Sequence, residues 1–313
     1  MKVDKLITLS LSLFVIGLPN LGYSQEGLDL KLEFMSNSSL IQSSLSNING
    51  PLETAPADYS IKPSVKRKNK IETFDFSYRC FDRSTGLPIP GTIFRFESLY
   101  AHPYSGGHDH LYEDDEAYEN GNEYYRPTGS VYPPEETRDD GTATMRFTAP
   151  EVSGYITLTT SCNHPNYNPA RYSILINVTY PGLIPMPEGN NYKLIGSWGM
   201  DYVTSMHVNN HNARPDVVQS LKNIADAFAT AYPGKKVFYN DMSLPSGGHF
   251  DIGNKWKNSH KSHRFGNDVD VHPPEPQNRL VFFGSAIGTG ISMLINELNK
   301  DKNRTTHWHM RYE

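Results

Sequence analysis

Residues 74–80 alternate with a period of two: Phe74, Phe76, Tyr78 and Cys80 fall on one side, Asp75, Ser77 and Arg79 on the other. Only an extended chain puts every second residue on one face, so this segment must be a strand with one buried side. The pattern returns in Ala143, Met145 and Phe147 after the turn Asp139-Asp140-Gly141. It returns again in Ile156, Leu158, Thr160 and Cys162, and in Tyr172, Ile174, Ile176 and Val178. With residues 92–97 this makes at least five short strands divided by Gly, Pro and Asn turns, the signature of a sandwich. The chain has two cysteines, and both share parity with the apolar residues of their strands. Both should face inward, and a Cys80–Cys162 bridge would close a loop of about 80 residues, worth roughly 4–5 kcal/mol in the chain-entropy view.

A disulfide needs an oxidising compartment, and the N-terminus supplies the route. Lys2 and Lys5 precede an apolar stretch over 6–18, Pro19 breaks it, and Gly22-Tyr23-Ser24 places small residues at a cleavage site before Gln25. Residues 1–24 are expected to be a signal peptide, the mature protein exported to the periplasm or secreted, with no transmembrane segment left. Residues 25–70 are rich in Ser and Asn and end in Lys66-Arg67-Lys68-Asn69-Lys70, so they read as a polar linker. Residues 71–182 then form an all-β, Ig-like sandwich. The net charge of -5 gives no reason to expect nucleic acid as a partner. Within the sandwich lies a polar insertion over 102–138, containing Gly106-Gly107-His108-Asp109-His110. His108 and His110 share one side of a short extended piece and offer two nitrogen donors. No third ligand is assignable from sequence, so the segment reads as a loop held by local hydrogen bonds.

Pro181, Pro185 and Pro187 around Gly182 and Gly189 mark a second boundary, and residues 190–313 form a second domain. Pro215 opens an amphipathic helix in which Val217, Val218, Leu221, Ile224, Ala225 and Phe228 follow helical spacing until Pro233-Gly234. Residues 236–239 read as a strand. A second helix is expected after Gly290, with Ile291, Leu294, Ile295 and Leu298 on one side. The result is an α+β domain with a small antiparallel sheet.

Eight of the 12 histidines fall after residue 189, and the informative ones sit in two segments. The first runs His260-Lys261-Ser262-His263-Arg264-Phe265-Gly266-Asn267-Asp268-Val269-Asp270. The second is His307-Trp308-His309-Met310. A hydrolytic zinc site takes three N or O ligands and keeps one position open. His263 and Asp270 suit a loop running into a strand, with Gly266 permitting a sharp turn. Asp268 and Asp270 share strand parity, so residue type alone leaves either as the ligand. His307 and His309 share a face if extended, with Trp308 and Met310 opposite. His207, His211, His249 and His272 have scaffold roles at least as readily as catalytic ones.

These two segments together resemble the LAS group of zinc peptidases, which includes penicillin-insensitive murein endopeptidase, D-Ala-D-Ala dipeptidases and carboxypeptidases, and the Hedgehog signalling fold. His260-x2-His263-x2-Gly266-x-Asp268-Val269-Asp270 with a late His307-x-His309 is most similar to the murein endopeptidase branch. The Glu that dipeptidases carry three residues before the last histidine is Thr306 here, and Arg304 stands where the endopeptidase has a further histidine. The resemblance implies one Zn²⁺ held by His263, Asp270 and His309, with His307 as the general base or the residue that orients the water, and His260 either supporting the ligands from behind or lying beside the substrate. It further implies hydrolysis, by metal-activated water, of D-amino-acid-containing bonds in peptidoglycan stem peptides, as a murein endopeptidase or a D,D-carboxypeptidase. The alternative is a non-catalytic, zinc-containing binding or adhesion module of the cell envelope.

Overall fold

The computed structural model describes residues 30–35, 59–102, 105–108, 128–132, 140–201, 205, 207–252, 255–260, 262–272, 279–286, 288–299 and 304–313. The signal segment 1–24 and His110 lie outside the described residues.

Eight strands build the first half: β1 (Leu30–Met35), β2 (Tyr59–Ile61), β3 (Thr73–Asp82), β4 (Ile93–Ala101), β5 (Ser130–Tyr132), β6 (Thr142–Thr148), β7 (Gly154–His164) and β8 (Tyr167–Val178). They form two four-stranded sheets, ordered β1-β3-β6-β5 and β2-β8-β7-β4. Alternation decides which side of each strand is buried. On β3, Phe76, Tyr78 and Cys80 are buried while their neighbours are not, and on β6 the same holds for Ala143, Met145 and Phe147. These side chains meet Phe94, Leu158, Ile174 and Ile176 of the facing sheet in one apolar cluster. The Cys80–Cys162 disulfide joins β3 of one sheet to β7 of the other, between residues 82 apart in sequence. At the end of β3 the Asp82 carboxylate accepts hydrogen bonds from the Ser84 hydroxyl and from the Thr85 and Ser84 amides. Those bonds hold its pKa down, at about 2, and close the turn into Gly86.

The second half contains β9 (Ile184–Pro185), β10 (Tyr192–Leu194), β11 (Asn212–Ala213), helix α1 (Pro215–Ala231), β12 (Val237–Tyr239), β13 (Phe250–Ile252), β14 (Lys255–His260), β15 (Asp268–His272), helix α2 (Arg279–Ala286), β16 (Ile291–Asn299) and β17 (Arg304–Tyr312). Five of these strands make a mixed sheet ordered β10-β12-β15-β17-β16, in which β10 and β12 are parallel and the remaining pairs antiparallel. Pro215 sits in the first turn of α1, where its missing N–H costs no hydrogen bond. The apolar stripe from Val217 to Phe228 packs on Tyr239, Val269, Val271 and Met310 of the sheet. The Tyr239 hydroxyl reaches across to donate to the Leu221 carbonyl at 2.6 Å. Phe228 meets Phe282 of α2 edge-on at 6.3 Å.

The expected pairing of an Ig-like sandwich with an α+β domain is corrected by this architecture. Strand accounts for 47% of the described residues, set in several sheets, and only two short helices accompany it. The two helices and seventeen strands are counted among the described residues. One sheet of the first half contains a parallel pair, β2 with β8. Both β1 and β2 arise within the stretch read as polar linker, β1 on the edge of β3 and β2 on the edge of β8. The helix expected after Gly290 is the strand β16, whose Leu294 and Ile295 pair with Met310 and His309. Ile291, Leu294, Ile295 and Leu298 do have helical spacing. The open edge of β17 and the β-branched isoleucines override it, since strand preference is decided by the available partner more than by local sequence. Among the described residues, no helix is long and apolar enough to cross a membrane.

The two halves touch through their backbones. Val152 bridges Gly248, the His249 amide donates to the Glu151 carbonyl at 2.7 Å, and the Tyr180 amide donates to the Ser246 carbonyl at 2.8 Å. Beside them the buried Arg264 guanidinium holds the Glu151 carboxylate at 2.8 Å. This seam places the 246–249 segment and β13 beneath the site described next.

Candidate metal centre

The β15–β17 pairing builds the site. Asp270 lies opposite His309, Asp268 opposite Arg311 and Val271 opposite Trp308. Alternation then divides the residues between two faces. Val269, Val271 and Met310 turn to the helices and are fully buried, and Trp308 packs on Phe283 of α2 at 4.6 Å. Asp268, Asp270 and His309 turn the other way. The loop before β15 delivers His263 to the same place. Its turn passes through Gly266 at φ 68°, where an added Cβ would stand 2.4 Å from the Leu183 side chain and 3.0 Å from the Ala213 backbone. A side chain there meets both strain and contact, so glycine is required.

His263 is buried, and its Nδ1 donates to the Met242 carbonyl at 2.7 Å. A carbonyl only accepts, so the Nδ1 proton is fixed and Nε2 keeps its lone pair in the neutral ring. That Nε2 stands 3.3 Å from Asp270 Oδ1. His309 Nδ1 approaches the same oxygen at 2.9 Å, and its Nε2 lies 2.8 Å from Asp268 Oδ1, which also accepts from Arg311 Nε at 2.6 Å. His307 Nε2 faces the other Asp270 oxygen at 3.5 Å. His260 comes from the end of β14, with its ring stacked on Phe250 at 5.2 Å and 4.7 Å from the His263 ring. Its Nε2 is 3.0 Å from Asp241 Oδ2, and Asp241 Oδ1 accepts from Asn210 at 2.6 Å.

Charge explains the titration pattern. Burial by itself would raise the Asp270 carboxyl, but His263, His309 and His307 around it drive it below the usual carboxylate range. Burial would likewise lower His309, yet its bonds to Asp268 and Asp270 win and hold it up, at about 9. His263 is raised too: desolvation is the largest single effect and lowers it, but the charge and hydrogen bond of Asp270 together outweigh it. The carboxylates therefore draw positive charge to one point between the imidazoles, and a divalent cation competes with protons for that point.

The structure brings together all five residues singled out in the sequence: His260, His263, Asp270, His307 and His309. Donor atoms of His260, His263 and Asp270 lie within 4.8 Å of one another and could hold a metal ion. His260, expected behind the ligands or beside the substrate, is thus in ligand range as well, while His309 divides its two nitrogens between two carboxylates. Ligand atoms around a zinc ion at 2.0–2.1 Å stand roughly 3.3–3.4 Å apart in a tetrahedron. The 3.3 Å between His263 Nε2 and Asp270 Oδ1 matches that spacing, and with His260 in range the residues present fit the ion. Asp268 ties His309 to Arg311, which leaves Asp270 as the carboxylate shared by three histidines.

Sequence reasoning missed Asp241, which lies 19 residues before the histidine it holds. It also missed a second group of metal-binding type, His108, His207 and Asp251, all buried. His211, by contrast, is scaffold: Nε2 donates to the Ile195 carbonyl at 2.8 Å, and burial lowers its pKa. No protein-family model matches the chain, and no curated protein matches it.

Proposed function

We propose that the chain is an exported, zinc-dependent peptidase that hydrolyses D-amino-acid-containing peptide bonds of bacterial peptidoglycan. The observation that carries the reading is a gradient of exposure across one face of the sheet. His263, Asp270 and His309 have side chains 1–6% exposed, whereas His260 and His307 beside them are 21% and 23% exposed. Ligand-type residues are buried and acid–base residues reach solvent, the division a hydrolytic site needs. The disulfide suits a non-cytoplasmic compartment, as a cell-wall substrate requires.

Zinc, when bound, supplies Lewis acidity towards a peptide carbonyl and towards water. His263, fixed by the Met242 carbonyl, and Asp270, held among three imidazoles, would hold the ion with His309 or His260 as the third ligand. His307 Nε2, at 3.5 Å from Asp270 Oδ2 and open to solvent, can take a proton from attacking water and return it to the leaving amine. His260 is oriented by Asp241 and by the Phe250 ring, which fixes its Nε2 on the carboxylate.

Cross-linked muropeptides incubated with zinc-loaded protein should turn from dimers into monomers by mass spectrometry. His307→Ala should cost 100-fold or more in rate while the protein keeps its metal. Untouched muropeptides and D-Ala-D-Ala peptides, with zinc fully bound, would instead establish a non-catalytic binding module of the cell envelope.

A further inference from the structure

The second group lies behind the wall of the first. His108 comes from the loop after β4, His207 from the segment before β11, and Asp251 from the middle of β13. His108 Nδ1 stands 3.3 Å from Asp251 Oδ1 and His207 Nε2 stands 3.1 Å from the same oxygen, with all three side chains wholly excluded from solvent. The two rings face each other edge-on at 5.4 Å, and the donor atoms of the three residues lie within 4.8 Å of one another. Ligands on a tetrahedral zinc ion at 2.0–2.1 Å are roughly 3.3–3.4 Å apart. The two imidazole-to-carboxylate separations, 3.1 and 3.3 Å, are close to that spacing.

The backbone around His108 is shaped for close approach. Gly106 and Gly107 both have positive φ, and a Cβ on either would stand 2.6 Å from the Ser153 carbonyl group or 2.3 Å from the Pro245 ring. The Ser153 hydroxyl lies 2.7 Å from the Gly247 carbonyl, to which it donates, and 3.2 Å from the Gly106 carbonyl. The loop of the first half is thereby pressed onto the second half, and His108 is its contribution to the buried cluster.

We infer that His108, His207 and Asp251 form a second, structural site for a divalent transition-metal ion of the zinc class, which staples the loop after β4 to β13. Two imidazoles and one carboxylate make a donor set of the borderline type that such ions prefer over calcium or magnesium. Solvent exclusion suits a structural role, since a hydrolytic site must keep a position open. The staple also sets the first site. Asp251 follows Phe250, whose ring contacts His207 at 5.4 Å, His260 at 5.2 Å and His263 at 6.0 Å, and Phe250 pairs directly with His260 across the β13–β14 hairpin. Fixing Asp251 fixes the strand that carries the aromatic wall of the first centre.

Metal analysis of the full chain, loaded with Zn²⁺ and passed over chelating resin, tests this. The unaltered protein should retain two ions, Asp251→Asn and His108→Ala one each, and His263→Ala one. One ion that His263→Ala removes and His108→Ala leaves in place would overturn the second site while sparing the first. Because truncation at His108 can also disturb folding, the same question is put to His263→Ala loaded with Co²⁺. An intense visible d–d band of tetrahedral type is expected from the buried site alone, and its absence overturns the proposal.

Discussion

The two halves of the molecule both bury one side of a twisted sheet, but they fill the space differently. Between the two sheets of the first half lie Phe76, Tyr78, Met145, Phe147, Leu158 and Ile176, closed by a disulfide. On the site face of β15 and β17 lie Asp268, Asp270 and His309, all buried and charged or chargeable. Apolar burial stabilises in proportion to area, whereas buried ion pairs return little beyond their own desolvation. The second half therefore takes its stability from the opposite face of the same sheet, where Val269, Val271 and Met310 meet the helices. One region is built to hold together and the other to hold charge.

That contrast can be broken experimentally, most strongly at the bridge. Replacing Cys80 and Cys162 by Ala should lower the unfolding free energy by about 4–5 kcal/mol on the chain-entropy model. Denaturant titration measures it, and a loss below about 2 kcal/mol would show that the apolar core of the first half suffices alone. Leu158→Ala, in the apolar interior, should cost about 2–5 kcal/mol. An effect under 1 kcal/mol would mean that the core closes over the gap. Glu151→Ala acts on the seam and removes the carboxylate that Arg264 holds across the two halves, at an expected cost of about 1–3 kcal/mol. If it leaves both calorimetric transitions where they were, the halves are not coupled through that pair. Tyr239→Phe deletes the bond to Leu221 and should cost about 1 kcal/mol, with zinc content unchanged. Asp75→Ala breaks an ion pair with Arg146 whose side chains are about half exposed, and should leave the melting midpoint where it was.

Legibility followed the range of the interaction. The strands β3, β6, β7 and β8 could be read because their buried face is written in each strand's own alternation, and the shared parity of Cys80 and Cys162 pointed to their bridge. Helix α1 could be read from Pro215 and its stripe. The segments around His263 and His309 carried their own spacing, and the structure brings them onto paired strands. What could not be read depended on partners far away. β1 and β2 are strands because β3 and β8 offer them edges, and β16 because β17 does. Asp251 meets His207 across 44 residues and His108 across more than a hundred, so no local pattern announces the cluster. Its one signal was His108 beside two glycines in a loop too polar to be core.

The register between β15 and β17 has a consequence for how the site comes into being. Asp270 and Val271 are consecutive, as are Trp308 and His309, so each strand carries metal chemistry and hydrophobic packing on alternate residues. A slip by one residue would send His307 and His309 towards the helices and Trp308 and Met310 towards Asp270, losing both sets of contacts at once. The packing of α1 and α2 thus proofreads the centre: a chain that has buried Met310 correctly has already brought His309 to Asp270.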